Sequence, residues 1–170
     1  MKSLYIVRHA KSSWGDFTLP DFERPLNERG QRDAPLMAKR LKDAGVYIDT
    51  FISSPAKRAF KTCKLFCEVY KRDSKEITLV DKLYHAPTPT FYEVVANIPD
   101  KYNSAAIFSH NPGITEFVNS LGLQVNVDNM PTCAVFGVRL SATSWREFAD
   151  GEKEYLFFNF PKQVQGEARS

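Results

Sequence analysis

Apolar positions along this chain fall into short runs separated by longer amphipathic stretches, the alternation of strands with helices. Residues 4–7 (Leu4, Tyr5, Ile6 and Val7) read as a buried strand, and residues 50–53 and 105–109 repeat the design. A weaker strand is expected around Ile77, Leu79 and Val80. Between these lie helical patterns. Asn27 is placed as an N-cap with Glu28 in the first turn, and Leu36, Met37, Arg40 and Leu41 continue to a stop at Gly45. Pro35 falls inside that stretch and is expected to kink or split it.

Ser54-Pro55 has the form of a helix start, with a helix running to about residue 71. Its apolar face holds Ala59, Phe60, Cys63, Phe66, Cys67 and Tyr70, while Lys57, Lys61 and Lys64 form a solvated face. Shorter helices are expected over about 90–98 and 114–121, the last stopped by Gly122. The runs at 133–138 and 155–158 read as two further strands without a crossover helix, hence an antiparallel edge. The pattern therefore predicts one α/β domain over residues 1–163, with a mostly parallel sheet, and a polar tail over 164–170.

Composition narrows the class. The chain has 170 residues, enough for one sizeable core, and its net charge of +3 is too small to argue for nucleic acid. The first apolar run meets Arg8 almost at once, too short for a signal-peptide core, and no long uncharged segment follows. A cytoplasmic protein without a membrane partner is expected. Three cysteines fit a reducing compartment and buried packing, and no zinc-ligand spacing accompanies them.

The candidate chemistry sits at strand ends. In a parallel sheet, ligands bind beyond the carboxyl ends of the strands. Arg8, His9, Arg58 and His110 all lie at such an end or one turn past it, and the chain has only three histidines. The third, His85, sits beside a Pro-rich turn and reads as an ordinary satisfied polar residue. A neutral histidine held in one tautomer is a competent nucleophile towards phosphorus, and arginine forks bind phosphate oxygens in pairs. His110, if protonated, would donate to an equatorial oxygen, and Gly113 would let the backbone approach the anion. This chemistry needs no metal. The polar, aromatic loop over residues 11–26 is long enough to be functional, or else a packed surface loop.

These motifs carry a resemblance. Arg8-His9-Ala10-Lys11-Ser12 resembles the Arg-His-Gly signature of the histidine phosphatase (phosphoglycerate mutase-like) superfamily. Ser53-Ser54-Pro55-Ala56-Lys57-Arg58-Ala59 with Thr62 is similar to its second arginine motif. Ser109-His110-Asn111-Pro112-Gly113 and Arg24-Pro25-Leu26-Asn27-Glu28-Arg29-Gly30 resemble segments of its small SixA-type phosphohistidine phosphatase branch. The resemblance implies a three-layer α/β/α sandwich, a phosphorylated His9, a phosphate pocket of Arg8, Arg58 and His110 joined by Arg24, and hydrolysis without a metal or organic cofactor. Ser12, Asn111 and Gly113 are the further substrate-contact candidates within those motifs.

Two departures are informative. Ala10 replaces the signature glycine, and Gly15 stands where the mutase-like members have an asparagine. Aligning Tyr84 with a family tyrosine puts Asp81 at the place of the general acid, as an acid or as a plain strand-end carboxylate. There is no room for the large cap of the mutases. The expected substrate is accordingly a phosphohistidine on a protein, with a small phosphoester or sugar phosphate as the alternative. A non-catalytic phosphate-binding module is the rival from another class. The pattern assigns no oligomeric state.

Overall fold

The computed structural model describes residues 1–161, so the expected tail over 164–170 lies outside the described residues. Six strands form one sheet: β1 (Lys2–Arg8), β2 (Thr50–Ser53), β3 (Thr78–Leu79), β4 (Ser104–Ser109), β5 (Val135–Leu140) and β6 (Lys153–Asn159). Their order is β3-β2-β4-β1-β5-β6. The first four run parallel, and β5 pairs antiparallel with both β1 and β6. The mostly parallel sheet with an antiparallel edge is as expected.

Side-chain alternation along the strands builds two cores. Tyr5, Val7, Phe51, Ala106 and Phe108 face α1 (Glu28–Asp43) and α2 (Lys57–Val69). Leu4, Ile6, Ile52, Ala105 and Ile107 face the opposite layer of α3 (Thr88–Ala96) and α4 (Gly113–Asn119), which Trp145 and Phe148 complete. Both faces of the central strands are thus covered, which is why their sequences are almost continuously apolar. The result is a three-layer α/β/α sandwich.

Three boundaries differ from expectation for local reasons. Helix α1 is not split at Pro35. The carbonyl that loses its partner there belongs to Gln31, an exposed residue that water can reach. Helix α2 starts at Lys57, not at Pro55, with Ala56 as an N-cap that makes no side-chain bond. Strand β5 starts at Val135 because Cys133 holds a left-handed φ of 62° and donates its N–H to the carbonyls of Arg8 and His9, at 3.1 and 3.0 Å. All three cysteines are buried and free. Among the described residues, no helix is long and apolar enough to cross a membrane.

Candidate active site

His9 follows β1, the strand flanked by β4 and β5. Its backbone N–H donates to the Ser109 carbonyl at 3.1 Å, tying it to the end of β4. The ring's Nδ1 lies 2.7 Å from the Ala10 carbonyl oxygen. A carbonyl only accepts, so Nδ1 carries the proton and Nε2 keeps its lone pair. That lone pair accepts the Nε–H of Arg58 at 3.3 Å. Burial lowers the His9 pKa to about 3, the Ala10 hydrogen bond opposing and the charges of Arg58, Arg8 and Arg24 adding to the fall. His9 is therefore a neutral imidazole of defined tautomer. Ala10 is wholly buried at a φ that is not positive, so replacing the signature glycine costs no backbone strain. Its N–H donates to Thr62 Oγ1 at 2.9 Å, and that hydroxyl donates to the Arg58 carbonyl at 2.8 Å.

The three arginines are held differently. Arg8 donates through Nη1 to the Met130 carbonyl at 2.8 Å, while its buried Nε has no partner. Arg58, in the first turn of α2, is 5% exposed and gives Nη1 to the backbone carbonyl of Asp21 and Nη2 to its carboxylate, at 2.7 and 3.0 Å. Arg24 reaches the same carboxylate through Nε at 3.2 Å and gives Nη1 to Ser12 Oγ at 2.8 Å. Its guanidinium lies 3.6 Å over the ring of Trp14, a cation–π contact. Tyr84 completes the clasp by donating its hydroxyl to Asp21 Oδ2 at 2.6 Å. Burial would raise the Asp21 pKa, but the bonds from Tyr84 and Arg58 outweigh it and hold the carboxyl well below its ordinary value. The loop over 11–26 is thus one wall of the site, fastened by Asp21, Arg24 and the Ser12–Leu26 bridge.

His110 follows β4, and its ring lies 5.2 Å from that of His9 and 5.5 Å from that of Tyr84, between centroids. Nε2 sits 2.8 Å from Ser54 Oγ, and Nδ1 is buried without a partner. Burial first, then His9, Arg58 and His85, lower its pKa to about 2 against a smaller opposing effect of Asp21. The condition under which His110 would donate as a cation is therefore not met near neutral pH. The ring stays neutral and can donate only through whichever nitrogen bears its single proton.

The remaining candidates are placed as follows. Asn111 donates to Asn129 Oδ1 and the Met130 carbonyl and accepts from Thr115, at 2.8, 3.1 and 2.6 Å. Its side chain fixes the loop that anchors Arg8. Gly113 packs so closely that a Cβ would stand 2.0 Å from the Ala86 carbonyl oxygen. Its lack of a side chain serves the close approach of α4 to the turn at His85, a residue with φ of 60°. Asp81 is exposed and lines a separate cavity of about 580 Å³ with Thr50, Val80, Glu93 and Tyr102. Among the described residues no hydrogen bond or ion pair links it to Arg8, His9, Arg58 or His110. No group of His, Cys, Asp and Glu among the described residues could hold a metal ion.

Asp21, Ser54, Thr62 and Tyr84 are site residues that the strand-end argument did not select. Only the unusual length of the 11–26 loop pointed towards Asp21.

Comparison with known proteins bears on this arrangement. An uncharacterised chloroplastic protein of Arabidopsis thaliana is 28% identical over 162 residues, 86% of this chain and 70% of that protein. The structure of the protein histidine phosphatase SixA complexed with tungstate superposes with a TM-score of 0.81 at 21% identity, covering 95% of this chain and 99% of that one. A mycobacterial glucosyl-3-phosphoglycerate phosphatase complexed with VO3 gives 0.68 at 15% identity, over 94% and 100%. At these identities both are likenesses of fold. Residues 4–86, which include His9, Arg58 and the Asp21 clasp, match the model of the histidine phosphatase superfamily (branch 1).

Proposed function

We propose that the chain is a phosphohydrolase that removes phosphate from phosphohistidine on proteins through a phosphorylated His9. The observation that carries this is the His9 ring: Nδ1–H is committed to the Ala10 carbonyl, and the bare Nε2 faces the Arg58 guanidinium. In the first step the Nε2 lone pair forms a bond to phosphorus while the bond from phosphorus to the leaving nitrogen breaks. The departing imidazole takes its proton from solvent water. In the second step water attacks phospho-His9, the P–N bond breaks, and orthophosphate leaves with His9 restored. Arg58 turns its Nε–H from the lone pair to a phosphoryl oxygen, and Arg8 and Arg24 add positive charge around the transferring group.

The leaving group is argued from what surrounds the site. An imidazole departs readily once protonated, its reference pKa being about 6.5, whereas an alkoxide needs a positioned acid. Asp81, a candidate for that task or else a plain strand-end carboxylate, lines another cavity. Between the turn at Asp81–Leu83 and β4 the one helix is the nine-residue α3, so among the described residues no large cap is inserted there. Both points support a phosphorylated side chain on a protein surface, as does the fold likeness to SixA. The second reading, a small phosphoester or sugar phosphate, is supported by the fold likeness to the glucosyl-3-phosphoglycerate phosphatase. Initial rates on a phosphohistidine protein and a panel of phosphoesters separate them. A preference of tenfold or more in kcat/KM for the phosphohistidine protein is expected, and faster ester turnover would overturn the assignment.

A further inference from the structure

The hydroxyl of Ser54 is placed to decide which nitrogen of His110 carries the proton. Ser54 is wholly buried just past the end of β2. Its Oγ accepts the Ala56 N–H at 3.2 Å and lies 2.8 Å from His110 Nε2. A serine hydroxyl has one proton and two lone pairs. If His110 bore its proton on Nε2 and donated to Ser54, the serine proton would be stranded in a buried position, and Nδ1 would be an unsatisfied acceptor. If Ser54 donates to Nε2, every bond of the pair is made except that of a single Nδ1–H. One unsatisfied group is less costly than two, so the second arrangement is favoured. The rings of His9 and Tyr84 lie 5.2 and 5.5 Å away, between centroids.

We propose that Ser54 is a positioning residue that fixes His110 in the Nδ1–H tautomer, so that Nδ1 donates to the transferring phosphoryl group. This rests on the phosphoryl-transfer reading of the site and adds to it how a second histidine there acts without carrying charge.

The test is ¹⁵N NMR of histidine-labelled protein, in which only three histidines need assignment. At pH 7.5 the wild type is expected to show His110 protonated at Nδ1 and bare at Nε2, a readout that requires no variant to fold. In Ser54→Ala that preference is lost. Single-turnover phosphorylation of His9 by a 3-phosphohistidine peptide then slows about tenfold or more, part of the cost of losing an oriented donor. Ser54→Thr, which keeps the hydroxyl, restores the tautomer and most of the rate. A wild-type proton on Nε2, or a Ser54→Ala protein with unchanged tautomer and rate, would overturn the inference. Wild-type protein with the stated tautomer but no transfer from the peptide would overturn the reaction assigned to the site, and with it the donor role.

Discussion

Acidification from pH 7.5 to 5.5 should destabilise this protein through two residues, His9 and His110. Each is neutral in the fold, with its pKa lowered from 6.5 to about 3 and about 2 respectively. In the unfolded chain both protonate below about pH 6.5, so falling pH favours unfolding. The stability is fully present above that value and is lost as pH falls towards the folded-state pKa. The size of the loss at pH 5.5 depends only on the folded values lying well below it. Each histidine then contributes RT ln(1 + 10) against nearly nothing at pH 7.5, or about 1.4 kcal/mol, and the pair about 2.7 kcal/mol. Asp21, whose folded pKa is also lowered, adds its loss only below its unfolded value near 3.8, outside this window. Urea denaturation at the two pH values measures the difference directly. Each single variant, His9→Asn or His110→Asn, should keep about half of the pH dependence, and the double variant almost none. A wild-type difference below about 0.5 kcal/mol, or an undiminished one in the double variant, would refute the claim that both rings are buried neutral.

Gly113→Ala would drive a Cβ to 2.0 Å from the Ala86 carbonyl oxygen, a backbone atom that cannot swing aside. The expected cost is about 2–3 kcal/mol in thermal or urea unfolding, and a change within 0.5 kcal/mol would contradict the packing described. Arg58→Lys replaces a fork that engages His9 and Asp21 together by a single point donor. A fall in kcat of about 100-fold is expected in steady-state phosphatase assays, and near wild-type turnover would show that the fork is dispensable. Asp81→Asn, at an exposed position lining another cavity, should leave kcat on phosphohistidine within about twofold, whereas a loss of 100-fold would return Asp81 to the role of general acid.

The fold was legible because its central strands are buried on both faces, so Leu4, Ile6, Ala105 and Ile107 report one core while Tyr5, Val7, Ala106 and Phe108 report the other. Strand-end logic brought Arg8, His9, Arg58 and His110 into one candidate cluster before any contact was known. It failed where a side chain is recruited from outside a strand end. Asp21 lies 37 residues from Arg58 and 63 from Tyr84, and nothing local marks it as their common partner. Ser54-Pro55 has the form of a helix start, but the Ser54 oxygen accepts the Ala56 N–H ahead of α2 and its hydroxyl lies against His110 Nε2, a partner 56 residues away that nothing local marks. The charge state of His110 stays open in the sequence for a different reason. A polar motif carries no record of how deeply it is buried, and burial is the leading cause of the lowered pKa. Asp81 shows the converse. An alignment position implied an acid, but the short turn at Asp81–Leu83 leaves its side chain on another cavity.

The central claim is that His9 Nε2 becomes phosphorylated. Rapid quenching of the protein with a ³²P-labelled phosphohistidine protein, followed by peptide mapping, tests it most directly. An acid-labile, base-stable phosphate on His9 is expected, formed and discharged at rates compatible with turnover, with no label in a folded His9→Ala protein that has lost activity. Label on another residue, or undiminished turnover in His9→Ala, would contradict it.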